Sequence, residues 1–260
     1  MGKIIAFWSP SSSAGVTTSA ILTALKLSKE SSVCILDLDL NNPDISMYLN
    51  ISDVEHNLDN LLPSIEGRNF TEEVFRMNLV SFDKLLVLQG TKKIDKGPTF
   101  ETSPIEEIIA MSKNLFDIVI INTNSAFDNA GTYLALKNSD KVVMVIEQDV
   151  KYFKKYVDKS QLINLLVLSP VVLINKYNKQ ILLTEDAVAD YFNSKPSKLP
   201  EIDFVSITNQ LNENKDFKSV FVSKKNESSL EILSERLLIE LGLKEEAESN
   251  TSKKKSFFKK

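Results

Sequence analysis

The stretch Ile4-Ile5-Ala6-Phe7-Trp8-Ser9-Pro10-Ser11-Ser12-Ser13-Ala14-Gly15-Val16-Thr17-Thr18 decides the fold. An unbroken apolar run passes into a loop of small residues and then into a helical pattern over Thr18–Lys29. Continuous rather than alternating apolar residues predict a strand covered on both faces, as in a parallel sheet. The loop joining such a strand to a helix can offer backbone N–H groups and a helix N-terminus to a phosphate. Against the phosphate-loop pattern G-x-x-x-x-G-K-[ST], Pro10 takes the first glycine position and Gly15 the second; Val16 takes the lysine position and Thr17 the hydroxyl. A Ser-rich loop that only caps a helix through Thr17 or Thr18 fits the same residues.

Working outward, further short runs rich in β-branched residues read as strands: Val33–Leu38, Leu85–Leu88, Ile118–Ile121, Val142–Ile146, Val171–Ile174 and, more weakly, Ile202–Val205. Helical patterns fall at Pro104–Leu115, Phe127–Lys137, Lys151–Gln161, Glu185–Phe192 and Ser228–Leu241. Strand and helix alternating along the chain predict an α/β, three-layer, doubly wound, mostly parallel sheet, because each right-handed crossover lays its helix on a sheet face. In the last helix Leu230, Leu233, Leu237, Leu238 and Leu241 keep helical spacing, with Gly242 as a stop. The packed domain is therefore expected over residues 1–243. Residues 244–260 read as a flexible linker and a basic aromatic tail, Lys253-Lys254-Lys255-Ser256-Phe257-Phe258-Lys259-Lys260.

Composition narrows the chemistry. The 260 residues carry a formal charge of −4. The last eight hold five lysines and no acid, so the rest of the chain stands at −9. Nucleic-acid binding through a broad positive surface is not expected of such a body. One cysteine (Cys34) and one histidine (His56) disfavour disulfide frameworks, thiolate or histidine zinc sites, and His-dependent nucleophiles. Cys34 reads as core, Trp8 as packing beside the loop, and His56 as a surface or helix-start residue. The lysines of Asp149–Gln161 read as a solvated face. No run reaches membrane-spanning length and no signal-peptide pattern precedes the first strand, so a cytoplasmic location is expected.

Four segments together resemble the MinD/ParA superfamily of deviant phosphate-loop (Walker A) ATPases, over most of residues 1–243. The family loop S-G-K-G-G-V-G-K-T-T, laid on Ser9–Thr18, keeps Ser9, Gly15, Thr17 and Thr18; the early lysine becomes Ser11 and the late one Val16. Ile35-Leu36-Asp37-Leu38-Asp39-Leu40-Asn41-Asn42-Pro43-Asp44 is similar to the family's D-x-D segment, whose acids assist the metal or the attacking water. Phe116-Asp117-Ile118-Val119-Ile120-Ile121-Asn122-Thr123-Asn124-Ser125 is similar to the strand ending in D-[TS]-x-P, with Asn122 in the place of the metal-orienting aspartate. Asn175-Lys176 is similar to the adenine-contacting N-[RK]. The Ser-Pro opening and the missing late lysine are also similar to TadZ-type members, which position pilus assembly machinery at the membrane.

The resemblance implies a P-loop NTPase fold binding ATP or ADP with magnesium. Ser12, Ser13, Ala14, Gly15, Val16, Thr17, Thr18 and Asn175 would face nucleotide, and Thr17 and Asp39 the metal. In the family the late lysine contacts the β- and γ-phosphates and the early one reaches across a nucleotide-sandwich dimer. Phosphoryl transfer depends mainly on positioned positive charge, so losses at Ser11, Val16 and Asn122 imply a degenerate, pseudo-ATPase site in which Asp37 and Asp39 remain. The implied role is a homodimeric scaffold that recruits a membrane-associated assembly such as a pilus or secretion system, with Lys253–Lys260 touching an anionic membrane surface. Two alternatives stand beside it. One is a slow ATPase in which Lys92, Lys93 or Lys151 replaces the lost cations; the other is a vestigial pocket without cofactor, filled by side chains such as Val16.

Overall fold

The computed structural model describes residues 1–93, 95, 99–166, 169–200, 212–213 and 224–245. The weak strand expected at Ile202–Val205 and the tail Lys253–Lys260 lie outside them. Eight strands form one sheet: β1 (Lys3–Trp8), β2 (Val33–Asp37), β3 (Val80–Phe82), β4 (Leu85–Leu88), β5 (Ile118–Asn122), β6 (Lys141–Ile146), β7 (Val171–Tyr177) and β8 (Ser197–Pro200). Their spatial order is β3-β4-β2-β5-β1-β6-β7-β8, parallel throughout except for the β3–β4 hairpin. The described helices are α1 (Val16–Leu27), α2 (Ile45–Tyr48), α3 (Leu58–Glu66), α4 (Glu72–Met77), α5 (Thr102–Leu115), α6 (Ala130–Asn138), α7 (Val150–Leu166), α8 (Glu185–Phe192) and a C-terminal α9 (Lys224–Glu240).

The apolar strands behave as their sequence dictates. β2 and β5 are buried at every position, and β1 at every position after Lys3. From β1 the chain crosses to β2 on one side of the sheet, whereas the β4–β5, β5–β6 and β6–β7 connections run the opposite way. With right-handed crossovers, that reversal places α1 on one face and α5, α6 and α7 on the other. α9 returns to pack on α1 and β8, burying Leu230, Leu233, Leu237 and Leu241, and Gly242 follows at φ +69. The reversal leaves a crevice at the C-terminal ends of β1, β2 and β5, the place where doubly wound sheets bind ligands. Register brings Asp37 of β2 and Phe7 of β1 alongside Asn122 of β5.

Several elements escape the periodicity. β3 has three residues, and its hairpin turns through Asp83 at φ +56. β8 is a four-residue edge strand ending in proline. α2 is one turn long, and α3 carries Pro63 within it. Cys34 and Trp8 are core residues, as expected. His56 lies just before α3 and bonds Asp53 through Nδ1 at 2.7 Å.

Candidate functional site: the crevice beneath the phosphate-loop position

Ser9 begins the loop. Its buried Oγ donates to the Ser11 carbonyl (2.7 Å) and accepts from the Ser11 N–H (3.3 Å), which turns the chain sharply out of β1. Ser13 follows in the left-handed region at φ +66, and Gly15 at φ +83 forms the N-cap of α1. Among the described residues no side chain caps α1, and its first turn holds no acid, so its leading N–H groups remain available to an anion. Asn175 of β7 reaches under this turn and donates through Nδ2 to the Ala14 carbonyl at 2.8 Å. That approach requires glycine: a Cβ on residue 15 would stand 2.3 Å from Asn175 Nδ2.

A cleft of about 840 Å³ opens in front of the loop. Ser11, Ser12, Ser13, Gly15, Val16, Thr17, Thr18, Asp39 and Asn175 line it. Ala14 does not; it is fully buried, and its carbonyl holds Asn175. Val16 forms part of the wall and leaves the cleft open, which removes the picture of a pocket plugged by that side chain. The opposite wall comes from Asn41, Asn42, Asp44 and Tyr48 after β2, from Thr123–Ala126 after β5, and from Lys176. Their signal is position: residues 41–48 follow the C-terminal end of β2 and residues 123–126 that of β5, and Lys176 lies at the same end of β7.

The carboxylates divide into two groups. Asp39 lies in the cleft, and its Oδ1 accepts from the Asn41 N–H, the Asn42 N–H and Asn124 Nδ2 at 3.0–3.2 Å. Burial raises its pKa, and the charge of Asp128 adds to that. Asp44 is raised by burial and by the charge of Asp39. Asp37 is different: it is fully buried and outside the cleft lining, and burial pushes its pKa up to about 7. Its Oδ1 accepts from Asn122 Nδ2 at 2.9 Å, and its Oδ2 from the Ile45 N–H at 3.0 Å. Asn122 Oδ1, equally buried, has no hydrogen-bond partner among the described residues.

The nucleotide and metal parts of this site fare differently. For a nucleotide, the uncapped helix, the small residues and the open cleft fit by shape. For magnesium, the expected Thr17 and Asp39 line the cleft with Asp44 beside them, but Asn122 brings no charge, and no cluster of three His, Cys, Asp or Glu side chains among the described residues is arranged to hold a metal. The cleft lining holds Asp39 and Asp44 against Lys176, which is itself paired with Glu147 and lies 3.4 Å from the Ser13 carbonyl.

The replacement cations suggested by sequence are elsewhere. The Lys92 backbone N–H bonds Asp59, Lys93 borders a separate cavity beside α3, and Lys151 lies over the Tyr152 ring. Besides Lys176, a second lysine reaches the loop: Lys159 of α7, which donates to the Pro10 carbonyl at 2.8 Å and to the Ser125 carbonyl. Its sequence signal was helical spacing: Tyr152, Tyr156, Lys159 and Ile163 form one stripe of α7, so Lys159 belongs to the inward face and not to the solvated one.

The sheet order, the crevice and the turn into α1 define a three-layer α/β fold of the P-loop NTPase class. Within that class the fold is that of the MinD/ParA ATPases. A ParA family ATPase from Chlorobium tepidum superposes with a TM-score of 0.78 at 15% identity, covering 90% of this chain and 99% of that one. The septum site-determining protein MinD of Pyrococcus horikoshii, complexed with Mg-ADP, gives 0.73 at 16% identity over 91% and 96% of the two chains. MinD in the MinC:MinD cell division complex of Aquifex aeolicus gives 0.71 at 16%, over 91% and 96%. At the level of sequence, no protein-family model and no curated protein matches the chain.

Proposed function

We propose that this protein is a positioning or scaffold protein of MinD/ParA type whose nucleotide site has lost catalytic competence. The observation that carries this reading is the Asp37–Asn122 pair. Where the resemblance calls for a charged aspartate that orients magnesium, an amide is spent on a buried neighbouring carboxylate. Ser11 and Val16 line the loop without bringing a cation to it, and a cation aimed at the transferring phosphoryl group is worth on the order of 10³–10⁵ in rate. Residues Ser12–Thr18 would hold the phosphates through backbone N–H groups and the α1 dipole, with Asn175 keeping the turn in shape and Thr17 and Asp39 meeting a weakly held magnesium. Bound magnesium would supply charge neutralisation for the phosphates beside the acids of the cleft.

Calorimetric titration of the full chain with ATP and magnesium, together with a phosphate-release assay, tests this. Binding in the micromolar to millimolar range with no release above background is the expected result; turnover at rates ordinary for ATPases would end the reading. The second reading, a slow ATPase, is favoured by the open cleft and by Lys176 at its rim.

The scaffold role includes a homodimer acting at the cytoplasmic face of a membrane, where it recruits a membrane-associated assembly such as a pilus or secretion system in the manner of TadZ-type proteins. MinD of A. aeolicus, found in complex with MinC, supports the general picture of a fold that docks other proteins. No helix among the described residues is long and apolar enough to cross a membrane, so the contact is assigned to Lys253–Lys260, where each lysine near an anionic surface contributes about 1 kcal/mol. Sedimentation with anionic liposomes should fall on deletion of residues 253–260; unchanged pelleting would remove the tail from the proposal.

A further inference from the structure

We propose that Lys159 supplies the cleft with the positive charge that Ser11 and Val16 no longer carry, as a positioning residue for the phosphates of a bound nucleotide. The inference rests on the reading of the cleft as a nucleotide site. Lys159 projects from the inward stripe of α7, and its half-buried ammonium binds two backbone carbonyls, those of Pro10 and Ser125. Ser125 is a lining residue of the cleft and Pro10 precedes the lining residue Ser11 in the chain, so Lys159 stands behind the wall rather than in it. The ammonium also lies 5.9 Å from the centre of the Trp8 ring.

Among the described residues Lys159 forms no ion pair; Asp158 and Lys155 act on it only at a distance. A half-desolvated cation held without a counter-charge among the described residues is a costly arrangement. Burial accordingly lowers its pKa. An anion in the cleft would offset that cost, and the charge would favour the anion in return. By engaging two carbonyl oxygens, the ammonium also keeps their negative ends from opposing a phosphate unmatched. A purely mechanical tie between α7 and the two loops makes a different demand: any side chain that donates hydrogen bonds would serve.

Calorimetry on the full chain with ADP plus magnesium and ATP plus magnesium, for wild type and for Lys159→Arg, Lys159→Gln and Lys159→Met, separates the two roles. Trp8, the single tryptophan, reports the same event by its fluorescence. Arg should stay within about threefold of wild type. Gln and Met should weaken ATP about tenfold, the scale of one partly screened charge–charge contact, and ADP less; the difference should shrink at high salt. Gln binding as well as wild type, or better than Arg, would overturn the proposal and leave a mechanical tie. Wild type that binds neither nucleotide would overturn the nucleotide reading and this proposal together, whereas tight wild-type binding unaltered in all three variants defeats this proposal alone. Should Lys159→Met fail to fold, the Arg and Gln pair decides.

Discussion

Asn122→Asp is expected to cost about 3 kcal/mol or more of folding stability at pH 8 and far less at pH 5. The substitution removes the amide that donates to Asp37 and sets a second carboxyl beside the first, both fully buried. Loss of a charge-assisted hydrogen bond accounts for roughly 1.5–3 kcal/mol, and two adjacent buried carboxylates cannot both ionise cheaply. The pH dependence follows from the wild type. Asp37 has a folded pKa of about 7 against an unfolded value of about 3.9. Its folded form therefore holds a proton that the unfolded chain has released, so its contribution is fully present below about pH 4, is lost as pH rises through 7, and is flat above that. In the variant the paired carboxyls extend that decline to higher pH. Urea unfolding at pH 5, 6.5 and 8 measures it; an equal loss at all three would mean that the pair does not share a proton. Magnesium with ATP should recover more stability in the variant than in wild type, because the charge missing from the metal side has been restored.

Gly15→Ala is expected to cost about 2–4 kcal/mol and to abolish any nucleotide binding. Two independent strains meet there. The φ of +83 disfavours a side chain by on the order of 1–2 kcal/mol. The new Cβ would also stand 2.3 Å from Asn175 Nδ2, so the buried bond to the Ala14 carbonyl must break or the turn must move. A double-mutant cycle isolates the second strain. In an Asn175→Ala background the same glycine substitution should cost at least 1 kcal/mol less, since the colliding amide has gone. Additive losses in urea unfolding would show that Asn175 does not brace the turn.

Those two expectations mark how far the sequence could be read. The apolar runs Ile4–Trp8, Val33–Leu38 and Ile118–Ile121 were legible because a strand buried on both faces has no room for alternation, and they became β1, β2 and β5 almost residue for residue. β3, β8 and α2 were not, since elements of three or four residues carry too little period to stand out from a loop. In the site, the loop from Ser9 to Thr18 stood out by its place between the first strand and helix, and the acids at residues 37 and 39 by their resemblance to the D-x-D segment. That Asp39 faces the cleft while Asp37 turns inward to Asn122 could not, because it depends on register between strands 85 residues apart.

The chain's order of strands and helices, the absence of lysine from the loop and the amide at residue 122 were fixed by the residues themselves, as local facts of composition and period. The tertiary structure alone decided which groups face one another. It set Asn175 in the cleft lining with its Nδ2 bracing the Ala14 carbonyl, withdrew Asp37 from the cleft, and brought Lys159 from a distant helix to the back of the loop. The physical reason is that charge and hydrogen bonding act through space over a few ångströms, and only the packing of α7 against the loops after β1 and β5 sets those distances.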